Sequence, residues 1–322
     1  MMSNLTANRP FFSFSDYLRK RYGERIYRVG VDAGFSCPHR KDTYGGCAFC
    51  DAAGSRAPYL DVAKGLKEQI DRTIIFLKKR YNATGFFLYF QANTNTYAPA
   101  NRLRELYDYA LSLASFKGLI VSTRPDCLDD KKTSLLADYK KQGYEVWVEL
   151  GLQSMHDKTL ARINRGHDRA CWEEAIHRLG NAGIYRAAHL IAGLPGEDLS
   201  DFLASVNYVA KTGTEAVKLH DLHLPLGSAL YKEFLHGELS LLSRQRYIDY
   251  VIAAIEHMPK DMILMRYSTD TTYARRGYPH KYIPKQAFIV MMERKLKSLG
   301  TYQGRLWKGG ERNTLLSDFI NK

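Results

Sequence analysis

The chain has 322 residues, of which 45% are hydrophobic and 25% charged, and its net charge is +13 at pH 7. This mixture is typical of a globular protein and excludes a fibrous or intrinsically disordered one. No run approaches the ~18 apolar residues of a membrane span, and residues 1–10 lack the apolar core of a signal peptide, so we expect a cytoplasmic protein with no membrane partner.

The first predicted elements are a short helix and a strand. The helix has an amphipathic pattern over residues 13–22, and alternating apolar residues then predict a strand over 27–32. This strand leads into a segment that holds three of the five cysteines, Cys37, Cys47 and Cys50.

These three cysteines follow the pattern C-x9-C-x2-C, with Phe49 before the last one. Three thiolates on one loop are soft, anionic ligands that suit an iron–sulfur cluster or zinc. A 4Fe–4S cluster needs one ligand for each iron, so three cysteines would leave one iron open to bind a substrate. The alternative is a structural zinc site with His39 as the fourth ligand. The loop by itself leaves both interpretations open.

Helices and strands alternate beyond this loop. Helical periodicity begins near residue 62, and each later helix is followed by a short apolar strand. The further predicted strands are 85–91, 119–123, 145–151, 185–192 and 216–220. Six strands with helices between them indicate an α/β fold with a parallel sheet. In such folds the loops at the carboxyl ends of the strands carry the functional site.

Polar groups follow the second and third strands. Gln91, Asn93 and Thr94 form a set of neutral hydrogen-bonding groups that suits an amino or carboxylate group, although a turn with local side-chain bonds would use the same residues. Arg124, held out of helix by Pro125, could point its guanidinium at a carboxylate or phosphate. The alternative for Arg124 is an ion pair with Asp126 that supports the loop.

Candidate ligand-binding residues continue at the fourth strand. Glu149 lies within an apolar run and could accept hydrogen bonds from the two hydroxyls of a ribose. Its alternative role is a salt bridge to a Lys or Arg inside the barrel. Gln153 at the end of this strand and Arg165 in the next loop are further candidates, Arg165 for a carboxylate.

The fifth and sixth strands end in two other groups of interest. Gly193 and Pro195 shape a tight turn beside an apolar surface, which fits a flat adenine ring as well as an ordinary strand-to-helix turn. His220 and His223 could shuttle protons, although hydrogen-bonded core histidines are common. With Arg266, these two are our candidate catalytic residues.

The regular alternation stops near Pro225. We therefore divide the chain into a barrel of residues 1–225 and an α/β extension of residues 226–322. Within the extension, helical patterns cover 228–236, 243–257 and 285–299, and 262–267 reads as a strand.

Positive charge concentrates in this extension. Between Arg266 and Arg312, eleven Lys and Arg residues face three acids, with Tyr, Phe and Trp interleaved. Basic groups neutralise phosphates and aromatic rings stack on unpaired bases, so this mixture favours RNA. The alternative is a solvated basic face with its aromatic residues in the core. The basic residues are Arg266, Arg275, Arg276, Lys281, Lys285, Arg294, Lys295, Lys297, Arg305, Lys308 and Arg312.

The order of these segments resembles the radical S-adenosylmethionine (radical SAM) superfamily. A three-cysteine loop after the first strand and the aromatic Phe49 carry the likeness, although the usual spacing is C-x3-C-x2-C. The long first gap, with YFQANTNTY, TRPDCL, WVELGLQS, INRGHD and HLIAGLPGE, is similar to the YhcC/YtqA-type proteins. Several segments also resemble the radical SAM subunit of the elongator tRNA-modifying complex, whose acetyltransferase domain has no counterpart here.

The resemblance implies a partial (βα)6 TIM-like barrel with the basic extension. It implies that Cys37, Cys47 and Cys50 ligate a 4Fe–4S cluster, and that S-adenosylmethionine (SAM) binds the open iron and is cleaved to a 5′-deoxyadenosyl radical. An electron donor such as flavodoxin or ferredoxin would reduce the cluster. Many members carry Gly-Gly-Glu after the second strand, and Gln91-Ala-Asn93-Thr94 stands there instead.

By resemblance, the expected substrate is tRNA, at the carbon-5 side chain of the wobble uridine. A protein or small-molecule substrate for the same chemistry is the second hypothesis. A zinc-stabilised RNA-binding protein without catalysis is the third.

Overall fold

The computed structural model describes residues 9–40, 45–50, 65–268, 277–279 and 284–320. Its helices are α1 (Phe14–Tyr22), α2 (Leu66–Tyr81), α3 (Ala100–Ser112), α4 (Asp130–Lys141), α5 (Asp157–Arg162), α6 (Arg169–Asn181), α7 (Leu199–Lys211), α8 (Ala229–Leu235), α9 (Arg244–His257), α10 (Lys285–Ser298) and α11 (Ser317–Ile320). Its strands are β1 (Ile26–Val31), β2 (Gly85–Phe90), β3 (Gly118–Thr123), β4 (Glu145–Gln153), β5 (Tyr185–Ala192), β6 (Ala216–Asp221), β7 (Leu224–Pro225), β8 (Ile263–Arg266) and β9 (Gly277–Tyr278).

Seven of these strands form one parallel sheet in the order β1-β2-β3-β4-β5-β6-β8. The six predicted strands and the α/β class are confirmed. The seventh, β8, comes from the segment assigned to the extension, and it pairs with β6 so that Ala216 faces Ile263. The sheet therefore reaches beyond residue 225, and the division of the chain at that residue stays a prediction.

The two faces of the sheet hold different cores. Because side chains alternate along a strand, Val148 and Leu150 of β4 point towards the helices, whereas Trp147 and Glu149 point into the concave interior. Deep in that interior, Trp147 packs with Phe87 of β2 and with aromatic residues of α1. Buried aromatic side chains thus fill the deep part of the concave interior.

Helix α1 joins the two edges of the sheet. It begins in a capping box in which the Ser13 hydroxyl accepts from the Asp16 backbone and the Asp16 carboxylate accepts from Ser13. Just before it, Leu264 of β8 donates its backbone N–H to Phe12 O at 2.8 Å, and α1 also contacts β1. Phe14 and Tyr17 lie edge-on to Trp147, with ring centroids 5.3 and 5.7 Å away. Since β1 and β8 are opposite edges, the sheet curls around α1 into a partial barrel.

Several basic residues of the extension have a structural role. Lys295 pairs with Asp249 of α9, and Arg305 pairs with Glu256 of the same helix. Arg312 lies 2.8 Å from the Asp261 carboxylate and donates to two backbone carbonyls. These contacts tie the end of the chain to α9, to the turn before β8 and to the end of α7, so this part of the charge holds the fold together.

The aromatic residues of the extension divide in the same way. Tyr267 and Phe288 are buried in the core, whereas Tyr302 is exposed. Exposed cations remain at Arg294, Lys297 and Lys308. The predicted residues Arg275, Arg276 and Lys281 lie outside the described residues. Among the helices described, none has a stretch long and apolar enough to cross a bilayer.

Candidate active site

The predicted site residues gather at the carboxyl edge of the parallel sheet, where the strand ends meet. Cys37 follows β1, and its carbonyl accepts from Arg40 N in a single turn of 3₁₀ helix over Pro38–Arg40. Residues 41–44 lie outside the described part of the chain. Cys47 is buried, and Cys50 N donates to Cys47 O at 2.9 Å.

Phe49 anchors the cysteine loop to the protein. With Ala48 it packs against a small apolar cluster that includes Leu160, Ile191 and Leu194. The Ala48 carbonyl also accepts from Leu230 N at 3.0 Å, at the start of α8. The aromatic position before the last cysteine thus serves packing.

The loop between α5 and α6 clamps the cysteine segment from the other side. Ala48 N donates to Ile163 O at 2.9 Å, and the Asn164 side-chain amide donates to Gly46 O at 2.8 Å. His39 Nε2 lies 2.7 Å from the Asn164 carbonyl. This contact makes His39 a link between the two loops.

Two guanidinium groups surround the Cys47 thiol. Arg165 Nη1 lies 3.4 Å and Arg124 Nη1 3.9 Å from Cys47 Sγ. A side-chain hydrogen bond between the thiols of Cys50 and Cys47 is the largest influence that holds the pKa of Cys47 well below its usual range, and both guanidiniums lower it further. The same hydrogen bond, with burial, raises the pKa of Cys50. The site favours negative charge on sulfur at Cys47.

Arg165 is also hydrogen-bonded to the backbone of β4, which holds its guanidinium at one position along that strand. Its Nη2 donates to Gly151 O at 2.8 Å, and a Cβ added at Gly151 would lie 2.6 Å from that nitrogen. Gly151 is therefore required for the guanidinium to approach the strand. Arg165 Nε is buried without a hydrogen-bond partner among the described residues.

Arg124 forms the ion pair that was one of its two predicted possibilities. Its guanidinium forms a two-pronged ion pair with Asp126, with Nε–Oδ1 and Nη2–Oδ2 distances of 2.9 Å. This is the supporting pair that the sequence left open. The remaining nitrogen, Nη1, faces the cysteine loop, which the sequence did not predict.

Glu149 is buried and centres a polar layer inside the barrel. Its Oε2 accepts from Lys218 Nζ at 2.5 Å and Tyr89 OH at 2.8 Å, and lies 3.1 Å from His189 Nε2. Burial opposes ionisation of Glu149, but Lys218 and His189 outweigh it and hold its pKa well below its usual range. Burial in turn lowers the pKa of Lys218 to about 7, against the opposing effect of Glu149.

The barrel salt bridge suggested as the alternative role of Glu149 is thus present. Only one oxygen takes part in it. Glu149 Oε1 is buried and has no hydrogen-bond partner among the described residues. A ribose hydroxyl could still donate to this oxygen.

His220 lies in the same interior, with its ring centroid 5.6 Å from that of His189. Burial, and then Arg266, holds the pKa of His220 well below its usual range, which keeps the ring neutral at physiological pH. Arg266 thus acts electrostatically on His220, and the catalytic role of these two residues stays a prediction. His223 lies further on, in the connection between β6 and β7.

The segment after β2 forms a braced turn. Asn95 donates from its side chain to Phe90 O and Ser122 O, and the Thr96 hydroxyl contacts that of Thr123 at 2.6 Å. The bond to Phe90 O is local, as in the turn that the sequence left open as an alternative, whereas the other two join the segment to the end of β3. Asn93 has a left-handed backbone with φ of 57°. Gln91 and Thr94 flank it at the strand end.

Gln153 and the Gly193 turn mark the ends of β4 and β5. Gln153 is 9% exposed and has φ of 79°, beside an irregularity in the pairing of β4 with β5. Gly193 has φ of 80°, and a Cβ there would meet the Leu242 side chain at 2.8 Å. Gly193 and Pro195 line a cavity of about 1270 Å³ with Leu242 and Tyr250. One side of the turn therefore faces this cavity and the segment before α9.

Sequence reasoning missed three members of the interior layer. Tyr89 and Arg28 were read only as strand residues, and His189 only as the start of a motif. Alternation along β1 set Arg28 on the face opposite Val29 and Val31, so a signal was available there, whereas β2 is apolar throughout and gave none for Tyr89. In the described part of the chain, no three His, Cys, Asp or Glu side chains are grouped as ligands of a single metal ion.

Comparison with protein families gives this geometry a context. The model of the radical SAM superfamily matches residues 35–209, and that of the radical SAM C-terminal domain matches residues 214–298. The chain belongs to the radical SAM superfamily. Radical SAM proteins use a 4Fe–4S cluster and SAM, so the cofactor prediction is confirmed at this level.

Radical SAM relatives of similar length extend the match over most of the chain. MJ0486 of Methanocaldococcus jannaschii is 36% identical over 91% of each chain. YhcC of Escherichia coli is 41% identical over 79% of this chain and 82% of its own. YtqA of Bacillus subtilis is 33% identical over 96% and 97%. The predicted YhcC/YtqA type is confirmed.

Likeness to the elongator enzyme is more distant. The tRNA uridine(34) acetyltransferase of Methanocaldococcus infernus is 26% identical over 44% of this chain and 26% of its own. The solved structure of Elp3 from that organism has a TM-score of 0.65 at 17% identity and covers 86% of this chain and 64% of its own. This structural likeness confirms the fold as that of radical SAM proteins.

Proposed function

We propose that this radical SAM enzyme reductively cleaves SAM and modifies the carbon-5 side chain of the wobble uridine in tRNA. The observation that carries the first half is the environment of Cys47. Its thiol is buried between the guanidinium groups of Arg165 and Arg124 on a loop with two more cysteines. A buried anionic centre with two fixed cations is the environment that a reducible cluster needs.

The donor set fits a 4Fe–4S cluster held by Cys37, Cys47 and Cys50. Thiolate is the ligand that such clusters take, and three thiols leave one iron for SAM. When bound, the cluster and SAM supply the one-electron cleavage of a carbon–sulfur bond of the sulfonium, which gives methionine and a 5′-deoxyadenosyl radical. Arg165, which donates to Cys47 Sγ, would stabilise the added negative charge of a reduced cluster.

Residues of the strand ends have proposed roles in holding SAM. Glu149 Oε1, which lacks a partner among the described residues, would accept from a ribose hydroxyl. Gln91 and Thr94 would contact the amino acid part, in place of the Gly-Gly-Glu of other members. The Gly193–Pro195 turn would form the wall beside adenine. Gln153, Asn93, Arg124 and Arg165 stay in this proposal as supporting residues around the cofactor.

The second half of the proposal, the tRNA substrate, has two supports. The relatives named for uridine(34) acetylation share part of their sequence with this chain. In addition, Arg294, Lys297 and Lys308 are exposed cations in the extension, available for phosphate.

SAM cleavage is tested on protein reconstituted with iron and sulfide under anaerobic conditions. Dithionite and SAM should yield 5′-deoxyadenosine from the wild type and from Cys171→Ala, which changes a cysteine of α6 that is not part of the loop. Cys47→Ala should give none. An intact cluster with no 5′-deoxyadenosine would reject the radical mechanism. Zinc without iron in anaerobically purified protein would favour the zinc-stabilised RNA-binding alternative.

The tRNA substrate is tested by comparing modified nucleosides of tRNA from a deletion strain and its parent. A change in a wobble uridine derivative, restored by the wild-type gene and not by Cys47→Ala, is expected. An unchanged profile, together with active SAM cleavage, would direct attention to a protein or small-molecule substrate.

A further inference from the structure

Positive charge exceeds negative charge in the interior layer around Glu149. Arg28 of β1 lies against the ring of Tyr89, whose hydroxyl donates to Glu149, and Arg266 of β8 is the register partner of Lys218. Burial and the two arginines together lower the pKa of Lys218. Lys218 is already neutralised by Glu149 through a contact of 2.5 Å. The two arginines are therefore the charges in excess.

Arg28 has no ionic partner among the described residues. Its guanidinium carbon lies 5.7 Å from the Tyr89 ring centroid and 5.8 Å from that of Phe14. In a cation–π contact the guanidinium interacts through its face, so the N–H groups in its own plane can still donate hydrogen bonds. The side chain is only partly buried, so it borders accessible space.

Arg266 is held in a similar state from the opposite edge of the sheet. Its Nε donates to Ser268 O at 2.7 Å, which orients the guanidinium, and no described carboxylate pairs with it. Arg266 acts electrostatically on Tyr89, Lys218 and His220, as Arg28 acts on Tyr89 and Lys218. Curling of the sheet thus brings charges from its two edges to one layer.

This layer lies deeper than the groups around the cysteines. Glu149 comes two residues before Gly151, whose carbonyl is bonded to Arg165, and two residues of a strand span about 6.6 Å. Arg165 and Arg124 are the cations beside the cysteine loop. Arg28 and Arg266 belong to the level below.

We propose that Arg28 and Arg266 bind an anionic group of the substrate, a carboxylate or a phosphate, in the barrel interior above the Lys218–Glu149 pair. Two guanidiniums without carboxylate partners are suited to such a group, because each can donate two hydrogen bonds to its oxygens. The inference deepens the proposed function, on which it rests for the identity of the substrate as tRNA. The Lys218–Glu149 ion pair, whose charges cancel, would lie beneath the bound anion.

The site is tested without tRNA on reconstituted protein with SAM bound. The melting temperature is followed against inorganic phosphate and against acetate, with sodium chloride keeping the ionic strength constant, because a ligand of the native state stabilises it. We expect a saturable rise, with its midpoint shifted at least tenfold by Arg28→Gln and by Arg266→Gln. Arg102→Gln removes one exposed charge on α3 and should respond like the wild type.

The outcomes separate the anion source from the other proposals. A response to acetate favours a substrate carboxylate, and a response to phosphate alone favours a phosphate. No rise above chloride with either anion, or wild-type responses in both variants, would overturn the site. Tenfold weaker SAM binding in Arg28→Gln would assign the guanidinium to the cofactor and overturn the substrate role.

A second measurement uses tRNA from the deletion strain. The KM for modification should rise at least tenfold in both arginine variants. Anion binding without any tRNA modification would keep the site and reject the tRNA substrate. Modification with unchanged KM in both variants would keep the proposed function and reject the site.

Discussion

The Cys47 thiol has an environment that favours its anionic form. A buried sulfur normally resists ionisation, but hydrogen bonding to Cys50 and two guanidiniums reverse this for Cys47. Arg165 is held by a carbonyl of β4 and Arg124 by Asp126, so neither can turn away from the loop. The protein thus fixes positive charge beside the proposed cluster ligand.

Arg165→Met should lower the reduction potential of the cluster by about 60 mV, which corresponds to a tenfold change for a one-electron couple. Removal of a positive charge disfavours the more negative reduced state. The potential is measured by an anaerobic redox titration followed by electron paramagnetic resonance. Arg162→Met, which removes an exposed arginine paired with Glu233, is the control. An unchanged or raised potential in Arg165→Met would contradict the role of this contact.

Side-chain pairing was the hardest feature to predict from the sequence. A lone acid in an apolar strand indicated that Glu149 needs a partner, but partners of opposite charge are numerous, and Lys218 lies two strands away in the sheet. Arg124 was expected either to pair with Asp126 or to point at a carboxylate or phosphate. In the structure it pairs with Asp126, and its remaining nitrogen faces Cys47 Sγ. Local pattern limits the choices, and tertiary distance decides among them.

The connection between α5 and α6 is the element that positions the cysteine loop. It supplies a backbone carbonyl at Ile163, an amide at Asn164 and a guanidinium at Arg165, all directed at the same short segment. Asn164 has a left-handed backbone with φ of 48°, which aims its side chain at Gly46 O. Three consecutive residues thus act together.

Asn164→Gly should release iron to a chelator about five times faster than the wild type, because loss of one hydrogen bond costs about 1 kcal/mol. Glycine adopts the left-handed backbone without strain, so the change removes the amide alone. Chelation is followed by absorbance under anaerobic conditions. Asn82→Gly is the matched control, since Asn82 ends α2 with a similar φ of 51°. Equal release rates in the two variants would show that the amide does not hold the loop.

Helix α1 is the second element with more than a local role. It covers the open side of the sheet with Phe14 and Tyr17, and it contacts both edge strands. Period and length predicted this helix and the six strands after it, because each carries its own hydrophobic signature. The pairing of β8 with β6 has no local signature, which is why the seventh strand was assigned to an extension.

Phe14→Ala should reduce the free energy of unfolding by about 3 to 5 kcal/mol, since a buried ring is removed from beside Trp147. The change is measured by urea denaturation of the full chain. Phe76→Ala on α2 is the control, because Phe76 is 58% exposed, and it should change stability by less than about 0.5 kcal/mol. Similar losses in both variants would contradict the closing role of α1.

At the scale of the whole molecule, the basic residues that produce the net charge of +13 fall into three classes. Some cations, such as Arg312, hold the fold through ion pairs, and others, such as Arg28, lie inside the barrel. The remainder is exposed, as at Arg294 and Lys297 on α10. Composition alone counts all three classes together, so it overstates the charge available to a nucleic acid.

Binding of tRNA should weaken steeply with salt, and Arg294→Gln combined with Lys297→Gln should reduce the slope of log K against log salt by about 1.4 to 1.8. The reason is that each phosphate contact releases counterions. The slope is measured by filter binding at salt concentrations from about 50 to about 200 mM. Arg102→Gln with Lys131→Gln changes two exposed cations on α3 and α4 and serves as the control. A slope unaltered in the α10 variant would exclude this helix from the tRNA interface.

The contact between Phe12 and Leu264 has a consequence for synthesis on the ribosome. The ribosome makes the chain from its N-terminus at about 5 to 20 residues per second. Helix α1 and Phe12 before it are therefore made long before β8, whose Leu264 donates to Phe12 O. Until β8 emerges, the aromatic face of α1 and the edge of β6 lack their final neighbours. Nascent chains that stop before β8 should therefore stay protease-sensitive at their N-terminus, and become resistant once it has emerged.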